Sequence, residues 1–396
     1  MKILFACHRL PFPPKRGGKI RPFNIIRHLS ASGHEITVAS VARSAEEEEE
    51  GRGLVDYCAR LLTGRIGSAA ALARMIARLP TKTPSSMGYF FSPALYAEVR
   101  TTLRHERFDL IFVHCSSAAQ YVREANGVPS IIDFGDMDSQ KWLDYAHVRL
   151  PPLSLGYRLE GLKLQREEMR LARRFDVSTC TTRAELEMLQ SFNAATYSDW
   201  FPNGVDTEYF SPATAAGDPD QICFTGRMDY FPNQQAVLMF CDDVLPRIRT
   251  RRPDTKLVVV GAEPPGKIEK LAERPGVTVT GTVPDVRPFV RNSAVSIAPL
   301  EIARGTQNKI LESMAMGVPV VCSDMAAKGV DAIPDEHLLT ANTPDEYADA
   351  IVELLEAPER RARLSTAGRE RVISNHSWQR SMRQLDGIIS SLTAGR

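Results

Sequence analysis

One carboxylate, Glu312, lies in the middle of a predicted helix and away from the apolar stripe of that helix. The stripe consists of Ile310, Leu311, Met314 and Ala315. A carboxylate in this position can accept hydrogen bonds from both hydroxyl groups of a ribose. The alternative is an amphipathic helix with one solvated glutamate, and the local sequence favours neither interpretation.

The residues that precede this helix are suited to binding an anion. Gly305, Thr306, Gln307 and Asn308 leave free backbone N–H groups at the predicted helix start, and Lys309 follows at once. These N–H groups and the positive end of the helix dipole favour a phosphate or a diphosphate. The sequence therefore predicts an anion site beside Glu312.

Two adjacent glycines, Gly17 and Gly18, follow the first predicted strand and open the first predicted helix. Paired glycines let a backbone approach a ligand closely, and the helix start supplies N–H donors. Basic residues stand beside them, namely Lys15, Arg16, Lys19 and Arg21. The spacing is not GxGxxG, so dinucleotide binding is not indicated, and a plain surface loop is the alternative.

A second glycine motif, Gly226-Arg227, ends a predicted strand in the second half of the chain. The glycine leaves room for a ligand, and the guanidinium can bind a diphosphate through two parallel N–H groups. The alternative is an arginine in a surface salt bridge, which would contribute little to stability.

Two strand ends in the first half carry further polar groups. His114 ends the predicted strand 110–114, where it can reach a substrate hydroxyl or phosphate, although a lone histidine is more often structural. Asp133, Asp136 and Asp138 follow another strand. Magnesium sites usually need one or two carboxylates plus phosphates, so this spacing does not decide whether a metal binds.

Short apolar runs alternate with amphipathic stretches through most of the chain. The predicted strands are residues 3–6, 36–41, 110–114, 130–133, 177–181, 222–225, 257–261, 277–281, 295–299 and 318–322. The predicted helices are residues 22–32, 93–105, 159–175, 183–191, 233–249, 286–292, 343–356 and 377–392. This alternation predicts an α/β fold with parallel sheets that are covered by helices on both faces.

The chain of 396 residues is too long for one ordinary hydrophobic core. Residues 202–206 form a turn signal, and residues 211–219 are rich in Ala, Gly, Pro and Asp, as linkers are. We therefore expect two doubly wound domains joined near residues 204–219. An active cleft is expected between them, because ligands bind beyond the carboxyl ends of parallel strands.

Composition excludes several classes of protein. A formal net charge of +1 gives no overall attraction to nucleic acid. Seven scattered cysteines, many flanked by apolar residues, indicate reduced core thiols in a cytoplasmic protein and not disulfides or zinc ligands. The first eight residues are too short for a signal-peptide core, and no apolar run reaches the roughly 18 residues of a membrane-spanning helix.

Residues 60–80 mix apolar side chains with Arg60, Arg65, Arg74 and Arg78 and contain no acid. A basic amphipathic segment is suited to the surface of an anionic membrane. The alternative is a helix that packs on its own domain and turns its arginines outward.

The chain carries, in this order, Asn203-Gly204-Val205-Asp206, Gly226-Arg227 and the run 312–321. With these motifs it resembles glycosyltransferase family 4 over essentially its whole length, and the block 305–323 is the most specific part. The resemblance implies the GT-B fold, in which two Rossmann-like domains face a central cleft, and transfer of a sugar from a nucleotide donor with retention at the anomeric carbon. Residues 133–142 together with 226–233 resemble the PEP-CTERM-associated sugar transferases of bacterial exopolysaccharide synthesis.

The resemblance also implies roles for single residues. By position, Glu312 matches the residue that binds the donor ribose, and Arg227 matches the arginine on the donor diphosphate. His114 matches the histidine near the transferred sugar, and Gly17-Gly18 matches the loop that faces donor and acceptor. The implied domains are an acceptor-side domain of residues 1–203, completed by helix 378–396, and a nucleotide-sugar-binding domain of residues 204–377.

Two positions depart from the family pattern. The family often has a lysine six residues after the arginine, where this chain has Asn233. It usually has a second glutamate, which contacts the donor sugar, where this chain has Arg304, so donor choice is expected to differ here. We hypothesise that Lys309, or Arg304 itself, supplies the missing cation.

The resemblance implies a metal-independent reaction without a cofactor, in which Arg227, Lys309 and the amides of residues 305–308 stabilise the leaving diphosphate. The expected partners are a nucleotide-sugar donor and a glycan or lipid-linked glycan acceptor, at the inner face of the plasma membrane. Another GT-B activity, such as a nucleotide-sugar epimerase or hydrolase, is the alternative among enzymes. A degenerate nucleotide-binding scaffold is the alternative outside them.

Overall fold

The computed structural model describes residues 1–14, 17–214 and 217–394. The chain divides into two compact units, of which the second is Asn203–Ser381. The first comprises Met1–Pro202 and the segment from Met382 onward. The predicted basic residues Lys15 and Arg16 lie outside the described residues, as do part of the predicted linker and the last two residues of the chain.

The described part of the first unit contains one parallel sheet of seven strands. The strands are β1 (Lys2–Cys7), β2 (Glu35–Ala42), β3 (Arg60–Arg65), β4 (Leu110–His114), β5 (Ser130–Gly135), β6 (Val177–Cys180) and β7 (Ser198–Trp200). Their order is β3-β2-β1-β4-β5-β6-β7. Strands β2 and β3 are added on one side of β1, and β4 to β7 are added on its other side. The switch point of the sheet therefore lies between β1 and β4, where Cys7 pairs with His114. Such a switch point is where ligands bind in doubly wound sheets.

The described part of the second unit contains a parallel sheet of six strands. These are β8 (Asp218–Thr225), β9 (Lys256–Val260), β10 (Val277–Val279), β11 (Ser293–Ala298), β12 (Val320–Cys322) and β13 (Leu339–Thr340). Their order is β10-β9-β8-β11-β12-β13, so the switch point lies between β8 and β11. The predicted α/β class with two doubly wound sheets is confirmed.

Helices cover both sheets. In the first unit they are α1 (Gly17–Ala31), α2 (Ala45–Gly51), α3 (Ser68–Ala77), α4 (Ser85–Tyr89), α5 (Pro93–His105), α6 (Asp138–Val148), α7 (Leu153–Arg174) and α8 (Arg183–Ser191). In the second they are α9 (Phe231–Met239), α10 (Leu245–Arg251), α11 (Gly266–Glu269), α12 (Arg287–Arg291), α13 (Asn308–Ala315), α14 (Asp324–Ala327), α15 (Pro344–Glu356) and α16 (Pro358–Asn375). The last helix, α17 (Trp378–Ala394), passes from the second unit into the first at Met382. Short 3₁₀ turns occur at Arg52–Tyr57, Ser116–Val122 and Lys270–Glu273, and a π turn at Phe240–Val244 joins α9 to α10.

The basic segment 60–80 is not one amphipathic element. Residues 60–65 form the edge strand β3, in which Leu62 and Gly64 are buried and alternate with more exposed residues. A Cβ on Gly64 would lie 2.5 Å from the Cβ of Leu95, so this position must be glycine. In residues 60–65 the alternation of buried and exposed residues, which is typical of a strand, determines the structure, and the segment is not helical there. The helix of this segment is limited to α3.

Each unit has its own hydrophobic core. All seven cysteines are free thiols, and five of them are buried, as expected for core residues. Burial raises the pKa of the Cys7 thiol to about 12, so this thiol is inert at neutral pH. None of the helices in the described ranges is long and apolar enough to cross a membrane.

Candidate functional site

The orientation of α13 is fixed by its buried side chains and by one buried hydrogen bond. Ile310, Leu311 and Met314 are buried in the core of the second unit, and Ser313 Oγ donates to Ser296 Oγ at 2.9 Å. This packing turns Lys309 and Glu312 away from the core, and both side chains are half-buried. The predicted polar face of the helix is therefore present, and Glu312 is not simply solvated.

The ammonium group of Lys309 is held by Asn233, in the first turn of α9, and by Phe224 at the end of β8. Its Nζ donates to Oδ1 of Asn233 at 2.7 Å and lies 4.3 Å from the ring centroid of Phe224. Nδ2 of Asn233 in turn donates to the carbonyl oxygen of Arg227 at 2.7 Å. The lysine that the family pattern places at position 233 is thus replaced by an asparagine that binds the ammonium of Lys309.

Gly226 has to be glycine because of this arrangement. Its φ of +157° is unfavourable for other residues, and a Cβ here would lie 2.7 Å from Asn233 Nδ2 and 2.9 Å from Lys309 Nζ. On the opposite side, a Cβ on Gly261 would lie 1.7 Å from the carbonyl oxygen of Gly226. The room that the absent side chain of Gly226 leaves is occupied by the side chains of Lys309 and Asn233.

Lys309 and Glu312 have pKa values shifted towards each other. Burial lowers the pKa of Lys309 to about 7, against the opposing influence of Glu312. Burial raises the pKa of Glu312 to about 7, against the opposing influence of Lys309. Their mutual attraction does not offset the cost of desolvation. A bound anion next to Lys309 would restore the charge of the ammonium group.

The loop before α13 has an unsatisfied polar atom. The buried Oγ1 of Thr306 has no hydrogen-bond partner among the described residues. The side-chain amide of Gln307 folds back and donates to the carbonyl oxygens of Arg304 at 3.1 Å and Gly305 at 3.4 Å. A buried hydroxyl without a partner is costly, and a bound ligand would supply one.

Arg227 is engaged by two carboxylates. Its Nη2 lies 2.9 Å from Asp229 Oδ2 and 2.7 Å from Glu263 Oε2, and the side chain is about one-third exposed. Hydrogen bonding to Asp229, and secondarily to Glu263, raises the pKa of Arg227 above its ordinary value. The structure therefore shows the salt bridge that was the alternative interpretation, and a diphosphate would have to displace a carboxylate to bind this guanidinium.

His114 belongs to a buried network in the first unit. Its Nδ1 lies 2.8 Å from Oδ2 of Asp133, which also accepts from Arg21 Nε at 2.8 Å. The second oxygen of Asp133 accepts from Arg21 Nη2 at 2.9 Å and from Thr179 Oγ1 at 3.0 Å. Burial by itself would raise the pKa of Asp133, but Arg21 and His114 hold it well below its usual range. Because this carboxylate is ionised, Nδ1 of His114 carries the donated proton, which fixes the orientation of the ring.

Two of the three carboxylates at the end of β5 have separate partners. Asp133 is fully buried and is used by Arg21, His114 and Thr179, whereas Asp136 accepts from Thr181 Oγ1 at 2.9 Å. Within the ranges that the structure describes, no group of three His, Cys, Asp or Glu side chains is placed to hold a metal ion.

Gly18, at the start of α1, is not required to be glycine by any steric contact in the described residues. A Cβ on Gly18 would meet no atom of the described residues within 4 Å. Two of the neighbouring basic residues are used internally, because Lys19 Nζ lies 3.1 Å from Glu47 Oε1 and Arg21 binds Asp133. The proximity of Gly17 and Gly18 to a ligand stays a prediction.

Sequence reasoning missed two of the residues that organise these sites. Arg21 was noted as one basic residue beside a glycine pair, yet it neutralises the buried Asp133. A carboxylate in a fully apolar strand requires a buried cation, and this signal could have indicated such a partner. Asn233 departs from the lysine of the family pattern, and its contact with Lys309 joins positions 76 residues apart, which no local pattern reveals.

Comparison with known proteins gives matches over both units. Residues 16–209 match the family profile described as Glycosyltransferase Family 4, and residues 219–357 match the profile described as Glycosyl transferases group 1. The phosphatidyl-myo-inositol mannosyltransferase of Mycobacterium tuberculosis is 28% identical over 308 residues, which is 73% of this chain and 75% of that protein. A GDP-mannose-dependent monoacylated alpha-(1-6)-phosphatidylinositol monomannoside mannosyltransferase of Corynebacterium glutamicum is 26% identical, over 54% of this chain and 62% of that protein.

Solved structures share the fold over nearly the entire chain. Sucrose-phosphate synthase from Thermosynechococcus elongatus superposes with a TM-score of 0.73 at 16% identity, covering 100% of this chain and 99% of that one. Anabaena HepE in complex with UDP superposes with a TM-score of 0.72 at 14% identity, covering 99% of this chain and 100% of that one. At these identities the likeness establishes the fold.

Proposed function

Since the chain belongs to glycosyltransferase family 4, has the GT-B fold and is an enzyme of the hexosyltransferase type, we propose that it transfers a sugar from a nucleoside-diphosphate donor to an acceptor hydroxyl. The donor binds the second unit at the carboxyl ends of β8 and β11. The acceptor binds the first unit. In this proposal the acceptor-side domain is residues 1–203 with helix 378–396, and the donor domain is residues 204–377.

The contact between Lys309 and Asn233 is the observation that carries this proposal. The ammonium of Lys309 takes the place of the lysine that the family pattern has at position 233, next to Gly226. It also lies at the mouth of α13, where backbone N–H groups favour an anion. Lys309 therefore binds the donor diphosphate, and the Asn233 amide positions it.

The other residues of the donor site follow from α13. Glu312, one turn after the helix start, accepts hydrogen bonds from the ribose hydroxyl groups as a carboxylate. Residues 305–308 donate backbone N–H groups, and Thr306 gains a partner for its hydroxyl. Arg227 reaches the diphosphate by exchanging a carboxylate partner. Arg304 stands where the family usually has the glutamate that contacts the donor sugar, so it alters donor choice.

In the reaction, negative charge develops on the diphosphate as its bond to the anomeric carbon breaks. Lys309, Arg227 and the amides of residues 305–308 stabilise this charge. The acceptor attacks from the face that the diphosphate leaves, and the departing phosphate helps to remove the acceptor proton, so the configuration is retained. His114 lies near the transferred sugar, and Gly17-Gly18 faces donor and acceptor.

The charge on the leaving group is balanced in this proposal by fixed cations, and no metal ion or cofactor takes part. Activity should then persist after treatment with EDTA and dialysis. Loss of activity that Mg²⁺ or Mn²⁺ restores would overturn this part of the proposal.

The acceptor is a lipid-linked or polysaccharide glycan. The names of the mycobacterial and corynebacterial relatives describe transfer to phosphatidylinositol or its mannosides, which are acceptors with a lipid anchor. Exopolysaccharide synthesis, as in the PEP-CTERM-associated subfamily, uses acceptors of the same kind. We place the enzyme in the cytoplasm at the inner face of the plasma membrane.

A donor screen tests the proposal. UDP-, GDP- and ADP-sugars are compared for thermal stabilisation, because a true donor binds the folded state and raises the melting temperature. The stabilising donor is then incubated with and without a lipid-linked glycan. Sugar transfer that requires the glycan supports the proposal. Donor turnover without a glycan supports an epimerase or hydrolase, and stabilisation without turnover on any acceptor supports a nucleotide-binding scaffold.

A further inference from the structure

Five leucines are exposed on the hairpin formed by α6 and α7 in the first unit. Leu150, in the turn of the hairpin, is 83% exposed, and Leu153 and Leu155 at the start of α7 are 57% and 63% exposed. Leu159 and Leu162 continue the exposed row along α7. Contiguous exposed leucines are unusual on a folded surface and indicate a binding surface.

A second group of exposed apolar residues adjoins this row. Leu72, Ile76 and Leu79, on and just after α3, are about half exposed. The buried ammonium of Lys163 on α7 donates to the carbonyl oxygens of Arg78 at 3.0 Å and Leu79 at 2.8 Å. The carboxylate of Glu160 accepts from the backbone N–H groups of Ser85 at 2.9 Å and Ser86 at 2.8 Å.

These buried contacts fix α7 against the segment that follows α3. Leu159 and Leu162 flank Lys163 on α7, and Leu79 is the residue whose carbonyl Lys163 binds. The two groups of apolar side chains therefore lie on elements that are bound to each other, and we treat them as one surface, here called the leucine patch and defined by residues 72–79 and 148–162.

The leucine patch has a positive border. Residues 68–86 and 145–159 contain no acidic residue, whereas they contain Arg74, Arg78, Lys82, Arg149 and Arg158. Arg158 and Lys82 are exposed. Glu160, the next acid on α7, is buried and is used by Ser85 and Ser86, so it does not neutralise the border.

Aromatic side chains stand behind the patch. The rings of Trp142, Tyr145 and Tyr157 lie with their centroids 5.4 to 6.5 Å apart and are half-buried between α6 and α7. Tryptophan and tyrosine are favoured where one end of a side chain is apolar and the other is wet, as at the level of lipid headgroups.

We propose that the leucine patch docks the first unit on the surface of an anionic phospholipid bilayer. The leucines enter the boundary between headgroups and acyl chains, and the basic border contacts lipid phosphates. The main contact is the α6–α7 hairpin, and the basic segment 60–80 contributes only residues 72–79, because its first residues are held in β3. This proposal rests on the surface of the first unit and is independent of the proposed sugar transfer.

The charges of the patch argue for a bilayer over a second copy of the chain. In a symmetric dimer the same surface lies on both sides of the interface, so the exposed Lys82 and Arg158 of each copy would face cations. Like charges across an interface oppose association, whereas an anionic bilayer is complementary to them.

Vesicle flotation tests the proposal with the full-length protein and no donor present. Vesicles of phosphatidylcholine with an equal amount of phosphatidylglycerol should bind the protein, and phosphatidylcholine vesicles should bind it much more weakly. The double variant Leu150→Glu/Leu155→Glu should lower the partition coefficient about tenfold or more, because it removes apolar contact and adds charge of the wrong sign. Arg158→Gln should lower it about fivefold.

The matched control is Ile373→Glu, since Ile373 is an exposed apolar residue on α16, outside the patch. It should bind vesicles like the wild type. Equal binding of the wild type and the Leu150→Glu/Leu155→Glu variant would overturn the proposal, as would absence of binding to anionic vesicles. A wild-type dimer in solution that this double variant dissociates would also overturn it, in favour of a second copy.

Discussion

The two switch points of this molecule hold charged groups in opposite states. At the first, Asp133 is fully buried and each of its oxygens accepts hydrogen bonds, with Arg21 bound to both. At the second, Lys309 and Glu312 are half-buried and their pKa values lie near 7, because neither charge is well compensated. The charge of Asp133 is compensated by the protein alone, whereas the charges of Lys309 and Glu312 are not.

This difference separates structural charges from binding charges. A fully paired buried ion pair gains little from a ligand, so Arg21 and Asp133 serve to hold strands and the ring of His114 in place. A lysine whose pKa is lowered by burial gains strongly from an incoming anion. At the second switch point we therefore expect substrate binding to change the protonation of Lys309 and Glu312.

The largest expected effect concerns the first switch point. Asp133→Asn leaves the guanidinium of Arg21 buried without a counter-charge, so the free energy of unfolding should fall by about 3 kcal/mol or more. Urea denaturation followed by circular dichroism measures this change. The control is Asp136→Asn, which keeps an oxygen for Thr181 and should cost less than about 1 kcal/mol. Similar losses in both variants would contradict the structural assignment of Asp133.

The second prediction concerns pH and donor affinity. Glu312 must be ionised to accept from ribose, and Lys309 must be protonated to bind the diphosphate. Since the free protein has both pKa values at about 7, the affinity should follow a bell-shaped profile centred near pH 7. Each limb should fall by at most about tenfold per pH unit.

Two variants separate the limbs of this profile. Lys309→Arg stays charged and should lose the alkaline limb, whereas Glu312→Gln should lose the acidic limb. Isothermal titration calorimetry between pH 5.5 and 9, an interval of about two units on either side of 7, covers both limbs. A flat profile for the wild type would show that these two residues do not titrate in the donor site.

The smallest expected effect is the contribution of Lys309 to the pH dependence of the free energy of unfolding. The pKa of Lys309 is lowered from 10.5 to about 7 by burial, so between these pH values the unfolded chain binds the extra proton. The free energy of unfolding of the wild type should therefore rise with pH in this window, relative to Lys309→Met. Partial exposure limits the gain to about 1 kcal/mol. A constant difference between the two proteins from pH 7 to about 10 would show that Lys309 is fully solvated.

Elements with a clear period were predictable from the sequence. The helices Pro93–His105 and Arg183–Ser191 occur at the predicted residues, because a serine or threonine cap and an apolar stripe mark both. The strands β7 and β13 were missed, since three and two residues are too few to show a period. The long helix α16 was also missed, because its buried residues Leu364, Gly368 and Val372 form a narrow stripe in a strongly charged sequence.

The sequence indicated candidate residues for the donor site, and their assignment stays a prediction, but it did not indicate their contacts. The sequence indicated Glu312, Lys309 and Gly226 from local patterns. It did not indicate that Asn233 binds Lys309, or that Arg227 is held by Asp229 and Glu263, because these contacts depend on how loops fold.

In the proposed donor site, the carboxylate of Glu312 binds the donor nucleotide. Calorimetry with the donor identified by thermal screening compares the wild type with Glu312→Ala, and with Glu370→Ala as a control on the exposed face of α16. Loss of two hydrogen bonds to a charged group should weaken donor binding by about tenfold to a hundredfold in Glu312→Ala, with an unchanged circular dichroism spectrum. Glu370→Ala should bind like the wild type. Equal donor affinity in Glu312→Ala and the wild type would contradict the claim.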